Sequence, residues 1–561
     1  MGLLDSLLSR RRLVLSTTAL LAFAGITAWT TMPREEDPQF PRRDGLVITA
    51  FPGADALVVE RLVIEPIEEA LAEVEAIDSV ESTARAGVSI QRITFFDTIY
   101  DTETAWDEVE DALEKAQRDF PEGVLEPDLD DDLVSQEAVV YAITGSSDPL
   151  ALVAAAEDLK RELLAVRSVK QVNVLADPGE QVFVEYDDAT ARRLGLDPGA
   201  LGQQLSSRSL IVPGGSIQIG EKTASLRPQT EFRSLEELRT TPITLPSGST
   251  VPLEELARVR RGPEEPPTER MRWNGEPAVA VAVVPQDGLD RVAFGEEIRE
   301  RVAGVVARGA GELTYEEMIF QPDLVKARLA ELTSSLQLGI LIVAGILFVI
   351  MGLRLGAVVA MVVPLVAFGS IAVFAAGGGI LHQISISALV IALGMLVDNA
   401  IVVAENIQYR LDEGAPPKRA AVEAVKELAF PLGTATGTTL AAFVPMLISK
   451  GNTADFTRTI PVMIMLSLTV SYLFAIVVTP VLSQLLLRRN EKAQENTRTR
   501  RLARAIAGVA VGRSGWVLVG AVLLLGFTVF ASQWVEQKFF PPADRQTLVM
   551  ALEMPEGTNL E

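Results

Sequence analysis

The sequence predicts an α-helical membrane protein that carries a large α+β region outside the bilayer. Of its 561 residues, 48% are hydrophobic, and the mean hydropathy is +0.27, which is typical of membrane proteins. The formal net charge is nevertheless −24, and most of the 74 Asp and Glu residues lie between positions 33 and 335. The acidic and the apolar compositions are therefore segregated along the chain.

Seven apolar stretches are long enough to cross a bilayer as helices. They cover residues 13–32, 336–353, 355–376, 384–408, 433–449, 459–487 and 515–535. The first follows three consecutive arginines, Arg10 to Arg12, and no small-residue cleavage pattern closes it. We therefore predict an uncleaved transmembrane helix there rather than a signal peptide.

The basic residues between these stretches predict the orientation. The positive-inside rule assigns Arg10, Arg354, Arg410 and the linker from Arg488 to Arg513 to the cytoplasm. The acidic region then lies outside, in the periplasm of a double-membraned bacterium. We expect a multi-pass inner-membrane protein, with His382 as an interfacial loop residue.

The acidic region alternates strand and helix patterns, which predicts compact α+β subdomains. Segments rich in β-branched residues predict strands at 45–53, 89–96, 137–145, 171–176, 181–187 and 278–286. Helical periodicity marks 55–75, 105–120, 149–166 and 290–306. A short amphipathic helix on the cytoplasmic surface is expected at 416–429.

Composition and motifs exclude several classes of function. The chain has no cysteine and one histidine, which excludes a thiolate or His-rich metal site. The acidic balance argues against nucleic acid as a partner. We find no phosphate-binding loop and no hydrolase motif, so we expect no cofactor and no enzyme activity. Any work that the chain performs must then draw on an ion gradient.

The stretch LGMLVDNAIVVAEN at 393–406 places a carboxylate inside an apolar span. A charge at that depth is costly and marks a functional candidate. Gly394, Asp398 and Glu405 fall near one face of the helix, which we expect to be a packed contact with its acids turned inward. Only Asp398 is deep enough for a proton relay, whereas Glu405 approaches the cytoplasmic interface and is expected to support the structure.

These residues resemble a known family. GMLVDNAIVVAENI is similar to the signature of the fourth transmembrane helix in resistance-nodulation-division (RND) efflux pumps, especially the hydrophobe and amphiphile exporters. The resemblance extends over essentially the whole chain, through MPREEDPQFPRR, FPGADALVVERLVIEPIEEAL, IFQPDLVKARL, LAAFVPMLI and VVTPVLSQLLL.

The resemblance implies a domain organisation. The periplasmic part would hold two porter subdomains, the second interrupted by a docking subdomain. The implied segments are 1–32 (cytoplasmic N-terminus and first helix), 33–130 (first porter subdomain), 131–175 with 273–335 (second porter subdomain), 176–272 (docking subdomain), 336–487 (helices two to six), 488–514 (basic linker), 515–535 (seventh helix) and 536–561 (start of a second periplasmic repeat). A hairpin at 209–226 would reach into the next subunit.

The resemblance also implies a mechanism and partners. Asp398 matches the family's proton-relay aspartate, and Asn399 stands where many multidrug members have a second aspartate, which leaves one titrating carboxylate on this helix. The implied activity is proton-driven efflux of small hydrophobic or amphiphilic compounds from the periplasm or inner membrane. The implied partners are two further copies in a homotrimer, a periplasmic adaptor, an outer-membrane channel and membrane lipids.

The last residues repeat an earlier pattern. The segment from Trp534 echoes the one from Trp29, with a period of about 505 residues, so we expect this chain to be the N-terminal half of a longer transporter. A naturally split or dimerising half-transporter is the alternative. The alternatives for function are a heavy-metal or lipid exporter of the same superfamily, and a membrane-anchored periplasmic interaction module without transport activity.

Overall fold

The computed structural model describes residues 10–38, 40–131, 137–187, 197–208, 216–219, 222–225, 232–267, 269–309, 313–489 and 497–534, with isolated positions within 189–195 and 550–554. The chain forms two compact units. We call Pro33–Ala330 the α+β unit, and the residues up to Met32 together with those from Glu331 onward the helical unit. The division follows the segregation of acidic and apolar composition.

The first helix among the described residues is α1 (Arg11–Thr31), and an antiparallel four-stranded sheet follows it. Its strands are β1 (Asp44–Ala50), β2 (Ile77–Arg85), β3 (Val88–Phe95) and β4 (Asp128–Asp130), in the order β2-β3-β1-β4. One face is covered by α2 (Ala56–Val59), a π-helical turn (Glu60–Ile64), α3 (Glu65–Leu71) and α4 (Thr102–Gln117). Gly45 permits this packing, because a Cβ there would lie 2.8 Å from Trp106 Cζ3.

A second sheet contains β5 (Val139–Thr144), β6 (Val169–Leu175), β13 (Met271–Trp273), β14 (Glu276–Pro285) and β15 (Thr314–Phe320). The strand order is β13-β14-β5-β15, and β6 also pairs with β14. Helices α5 (Pro149–Leu164) and α8 (Arg291–Arg308) contribute apolar side chains to its core. Every residue of β5 is buried, which explains why this strand reads as a continuous apolar run.

The residues of a third, smaller core lie between β6 and β13 along the chain. It involves the antiparallel pair β7 (Glu180–Tyr186) and β12 (Ala257–Pro263), the pair β10 (Pro242–Thr244) and β11 (Thr250–Pro252), helices α6 (Pro198–Arg208) and α7 (Leu235–Arg239), and the 3₁₀ turn Leu253–Glu255. Strands β8 (Ser216–Ile219) and β9 (Lys222–Ser225) form an antiparallel hairpin. The remaining positions of the hairpin predicted at 209–226 lie outside the described residues.

The strands and helices predicted for the acidic region are confirmed in type and position. Strand β3 occupies 88–95 against a predicted 89–96, and α5 occupies 149–164 against a predicted 149–166. The predicted helix at 55–75 is divided by the π-helical turn Glu60–Ile64. Side chains of Asp55, Asp101 and Asp148 cap the helices that follow them by accepting hydrogen bonds from backbone N–H groups, and these caps fix where α2, α4 and α5 begin.

Arg299 on α8 is the centre of a charged network in the α+β unit. Its guanidinium donates two hydrogen bonds to Glu317 on β15, of 2.7 and 2.8 Å, and two to Asp323, of 3.1 and 2.6 Å. It also lies 3.7 Å from the centroid of the Phe320 ring, and Tyr141 donates to Glu317 at 3.2 Å. This network fastens α8 to the end of β15.

We expect the contribution of Arg299 to stability to be lost in acid. Hydrogen bonding from Arg299 lowers the pKa of Glu317 below its ordinary value of 4.5. The pair therefore stabilises the fold fully above that ordinary value, and the contribution disappears as the pH falls through the lowered pKa. Urea midpoints of wild type and Arg299→Gln, followed by tryptophan fluorescence, should differ most near neutral pH and converge in acid. The control is Arg161→Gln, which removes an exposed ion pair with Asp158. If the urea midpoints of Arg299→Gln and wild type differ by the same amount at every pH, the prediction is contradicted.

The helical unit contains six helices, among the described residues, that are long and apolar enough to cross a membrane. After α1 they are α9 (Gln321–Ala376), α10 (Gln383–Asp412), α11 (Pro417–Ile448), the segment Asn452–Leu486 formed by α12 (Asn452–Thr457) with α13 (Thr459–Leu486), and α15 (Ser514–Ser532). A further helix, α14 (Thr497–Gly512), lies where the sequence predicted a basic linker.

The 56-residue helix α9 is interrupted at Gly352, whose φ of 78° and ψ of 169° are not helical. A Cβ at Gly356 would lie 2.9 Å from the carbonyl oxygen of Leu347, nine residues earlier. In a straight helix these positions are about 13 Å apart along the axis, so the chain reverses direction at Gly352. The two predicted spans at 336–353 and 355–376 are the two arms of this reversal.

One prediction for the helical unit is wrong. The sequence indicated a short amphipathic helix at 416–429, separate from the span at 433–449, but α11 runs without interruption from Pro417 to Ile448. Pro431 and Pro445 are accommodated inside it. The apolar face expected for the short helix does exist, since Ala421 and Val425 are buried. Pro431 lies between the two predicted segments, and the helix continues through it.

Candidate functional site

Helix α10 holds the candidate relay residues and has well-defined ends. His382 precedes its first residue, and the His382 Nδ1 accepts a hydrogen bond from the backbone N–H of Ser385, whose hydroxyl in turn accepts one from the His382 N–H at 3.0 Å. The helix ends before Gly414, which has a φ of 97°. His382 is thus a buried residue outside the helix that caps its first turn, and its interfacial position stays a prediction. The 30 residues of α10 are about 45 Å long, more than a bilayer core requires.

One face of α10 is buried, mainly against α13. The hydroxyl of Ser471 on α13 donates a 2.7 Å hydrogen bond to the carbonyl oxygen of Leu396, a group that an α-helix normally uses internally. The buried side chains recur at helical spacing and include Leu389, Leu393, Leu396, Ala400, Val403 and Ile407. This contact fixes the rotation of α10 about its axis.

The predicted site residues Gly394, Asp398 and Glu405 lie on the opposite face of α10. All three are exposed, and the exposed stripe continues at the same helical spacing. A Cβ at Gly394 would meet nothing within 4 Å. The inward packing expected for this face is therefore not provided by the residues that the structure describes, because α13 packs against the other face. Asp398, the sixteenth residue of α10, has no ion pair with any described residue.

Asn399 does not share the environment of Asp398, although the two are adjacent in sequence. It is 8% exposed, and its Nδ2 lies 3.4 Å from the hydroxyl oxygen of Thr436 on α11. Because successive residues differ by 100° around a helix, Asn399 is turned toward α11 while Asp398 faces outward. The structure thus separates the two positions that the sequence motif places together.

Sequence reasoning missed the network that joins α10 to α11 at their connecting turn. Arg410 donates to Asn406 at 2.9 Å and to Glu423 at 3.0 Å, and it also pairs with Glu427. Glu423 additionally accepts a 2.7 Å hydrogen bond from Arg419. The sequence signal was weak, because Arg410 and Glu423 are thirteen positions apart and lie on two different helices.

We expect Arg410→Gln to loosen this connection and to destabilise the helical unit by about 1–2 kcal/mol, since a partly buried guanidinium with several partners is lost. Thermal unfolding in detergent measures the change. Arg419→Gln is the matched control. Arg419 is exposed, and among the described residues its ion pair is with Glu423 of the same helix, so its loss should lower the thermal midpoint much less than the loss of Arg410. Equal effects of the two substitutions would contradict a joining role for Arg410.

The described residues contain no group of three or more His, Asp or Glu side chains arranged to hold a metal ion. The polar groups of α10 and its contacts are the exposed carboxylates of Asp398 and Glu405, the Asn399 amide with the Thr436 hydroxyl, and the guanidinium network of Arg410. Such a set can bind and release protons and can form hydrogen bonds between helices.

Comparison with known proteins agrees with the resemblance in the sequence. Curated relatives described as multidrug resistance protein MdtC, from Yersinia pseudotuberculosis serotype O:1b and from Yersinia pestis bv. Antiqua (strain Angola), are each 25% identical over 542 residues. The match covers 94% of this chain and 53% of each relative, so the chain spans about half their length. The model of the AcrB/AcrD/AcrF family matches residues 3–561. The chain therefore belongs to the AcrB/AcrD/AcrF family.

Proposed function

We propose that this chain takes part in proton-motive-force-driven export of hydrophobic or amphiphilic compounds, as part of the inner-membrane component of a tripartite pump. Membership of the family supports a transporter rather than an enzyme. The observation that carries the proposal is the position of Asp398, a carboxylate halfway along an apolar helix and on a face that no described residue covers.

The energetic argument begins with the cost of that charge. An ionised Asp at the centre of a membrane helix costs about 3 kcal/mol or more. Protonation removes the charge, and a cationic side chain placed opposite would stabilise the ionised form. Two packings of α10 can then differ in proton occupancy, so that proton uptake and release bias a conformational cycle. We propose that a cationic group outside the described residues faces Asp398.

Asn399 and Glu405 have supporting roles in this proposal. Asn399 is an amide that does not titrate, and its contact with Thr436 holds α10 against α11. Glu405 lies on the same face as Asp398, about 10 Å nearer the C-terminal end of α10. We propose that Asp398 is the single relay carboxylate on this helix and that Gly394 leaves room for a closely packed helix.

The proposed topology has seven spans, with α9 counted as two because of the reversal at Gly352. The α+β unit would then be periplasmic, with its first core forming the first porter subdomain (33–130), its second core forming the second (131–175 with 273–335), and its third forming the docking subdomain (176–272). We further propose a homotrimer that works with a periplasmic adaptor and an outer-membrane channel.

Accumulation of a fluorescent amphiphile tests the proposed function. A pump-deficient bacterium that expresses the complete gene encoding this chain should accumulate less of the compound than a strain with an empty vector, and a protonophore should abolish the difference. Equal accumulation without the protonophore would contradict export. Export that persists with the protonophore would contradict the proton gradient as the energy source.

A further inference from the structure

A group of polar side chains lies inside the first core of the α+β unit, far in sequence from α10. Thr49 on β1 and Ser89 and Gln91 on β3 each expose 0% of their surface. Four of their atoms have no hydrogen-bond partner among the described residues: the hydroxyl oxygens of Thr49 and Ser89, and Oε1 and Nε2 of Gln91. Buried polar groups are nearly always hydrogen-bonded, so four such atoms in one core require an explanation.

The strand register brings the three side chains onto one face of the sheet. Thr49 lies directly opposite Ser89, and Gln91 lies opposite Val47. Since Val47 belongs to the core covered by α2 to α4, the polar side chains face the helices rather than solvent. Directly opposed residues have Cβ atoms about 5 Å apart, and diagonal neighbours are about 7 Å apart. The three side chains therefore form one cluster.

The helical layer above the cluster has an unusual backbone. The π-helical turn Glu60–Ile64 contacts both β3 and β2. Such a turn widens the helix and takes backbone groups out of the regular hydrogen-bond ladder, and it is often found at functional positions. The strand that carries Ser89 and Gln91 is thus contacted by the one described segment of this helical layer that departs from α-helical geometry.

A polar path continues from the cluster to the surface. Ser82 on β2 lies opposite Gln91, and its hydroxyl donates a 2.5 Å hydrogen bond to the carboxylate of Glu68 on α3. Glu68 is exposed. Hydrogen-bonding groups therefore extend from the buried amide to the edge of the sheet, which is the route that a small polar molecule needs to enter.

We propose that Thr49, Ser89 and Gln91 bind ordered water in a seam between the sheet and its helices. Hydroxyl and amide groups both donate and accept hydrogen bonds, as a bound water molecule requires, and the three side chains carry no charge that would select an ion. A buried water typically makes about three hydrogen bonds, and this cluster offers four unpaired atoms. The seam hydrates the interface between the π-helical turn and β3.

Hydrogen exchange of the amides in β1 and β3, measured on the intact chain, tests this proposal. If water bridges the cluster, Gln91→Leu leaves the water and the two hydroxyls short of partners, and exchange should accelerate about tenfold. Ser89→Ala should also accelerate exchange, and it is a smaller change of side chain than Gln91→Leu. The triple variant Thr49→Val, Ser89→Ala, Gln91→Leu removes every polar group together and should exchange within about threefold of wild type. Thr83→Val, at an exposed position of β2, is the control.

If the cluster holds no water, the single variants should exchange more slowly than wild type, because each substitution would then remove an unsatisfied buried group. Slower or unchanged exchange in both single variants would overturn the proposal. A density map that resolves water provides an independent readout. Water within hydrogen-bond distance of Gln91 and of at least one hydroxyl is expected, whereas an empty seam would overturn the proposal.

Discussion

Export should fall to the level of an empty vector in the variant Asp398→Asn, at unchanged expression. Asparagine has nearly the shape of a protonated aspartic acid but cannot release a proton, so α10 would be held in one of its two charge states. Because Asp398 is exposed and makes no ion pair with the described residues, the substitution should leave folding of the chain largely unaffected. Accumulation of the fluorescent amphiphile and antibody detection of the protein measure both effects.

The matched control for this variant is Glu405→Gln. It is the same chemical change, on the same exposed face of α10, seven residues further toward the end of the helix. Most of the export should remain in that variant, because a carboxylate near the end of a span can stay hydrated and ionised. If Asp398→Asn exports as well as wild type, Asp398 is structural. If both variants lose export equally, the position of the carboxylate along the span does not determine its role in export.

We expect Gly25→Ala to separate α1 from the second arm of α9. A Cβ at Gly25 would lie 2.8 Å from the Cβ of Phe368 and closer still to the backbone oxygen of that residue. A backbone atom cannot move aside as a flexible side chain can, so the two helices must shift apart. We expect a loss of about 1–3 kcal/mol, seen as a lower thermal midpoint in detergent and a lower yield of folded protein.

Gly520→Ala on α15 is the control for that substitution. A Cβ at Gly520 would meet nothing within 4 Å. The added methyl group reduces the conformational freedom of the unfolded chain, and in an open helix interior it should stabilise by about 0.5–1 kcal/mol. The two glycine substitutions should therefore shift the thermal midpoint in opposite directions. A midpoint unchanged by Gly25→Ala would show that the contact with Phe368 can relax.

Local sequence signals predicted the individual elements well. The strands of the α+β unit were read from runs of β-branched residues, and the apolar spans were read from their length. The separate helix predicted at 416–429 was wrong, because local signals do not show that α11 continues through Pro431.

The sequence by itself determined the segregation into an acidic α+β region and apolar spans, and the placement of Gly394, Asp398 and Glu405 on one stripe of α10. Helical periodicity and hydrophobic length are local properties, so they need no partner to be read. Only the tertiary structure decided which face of α10 is buried, since both faces carry apolar side chains. Ser471 and Thr436 belong to other helices, and their contacts turn Asn399 inward and leave Asp398 exposed. The burial of Thr49, Ser89 and Gln91 was likewise decided by packing between segments distant in sequence, which no local pattern records.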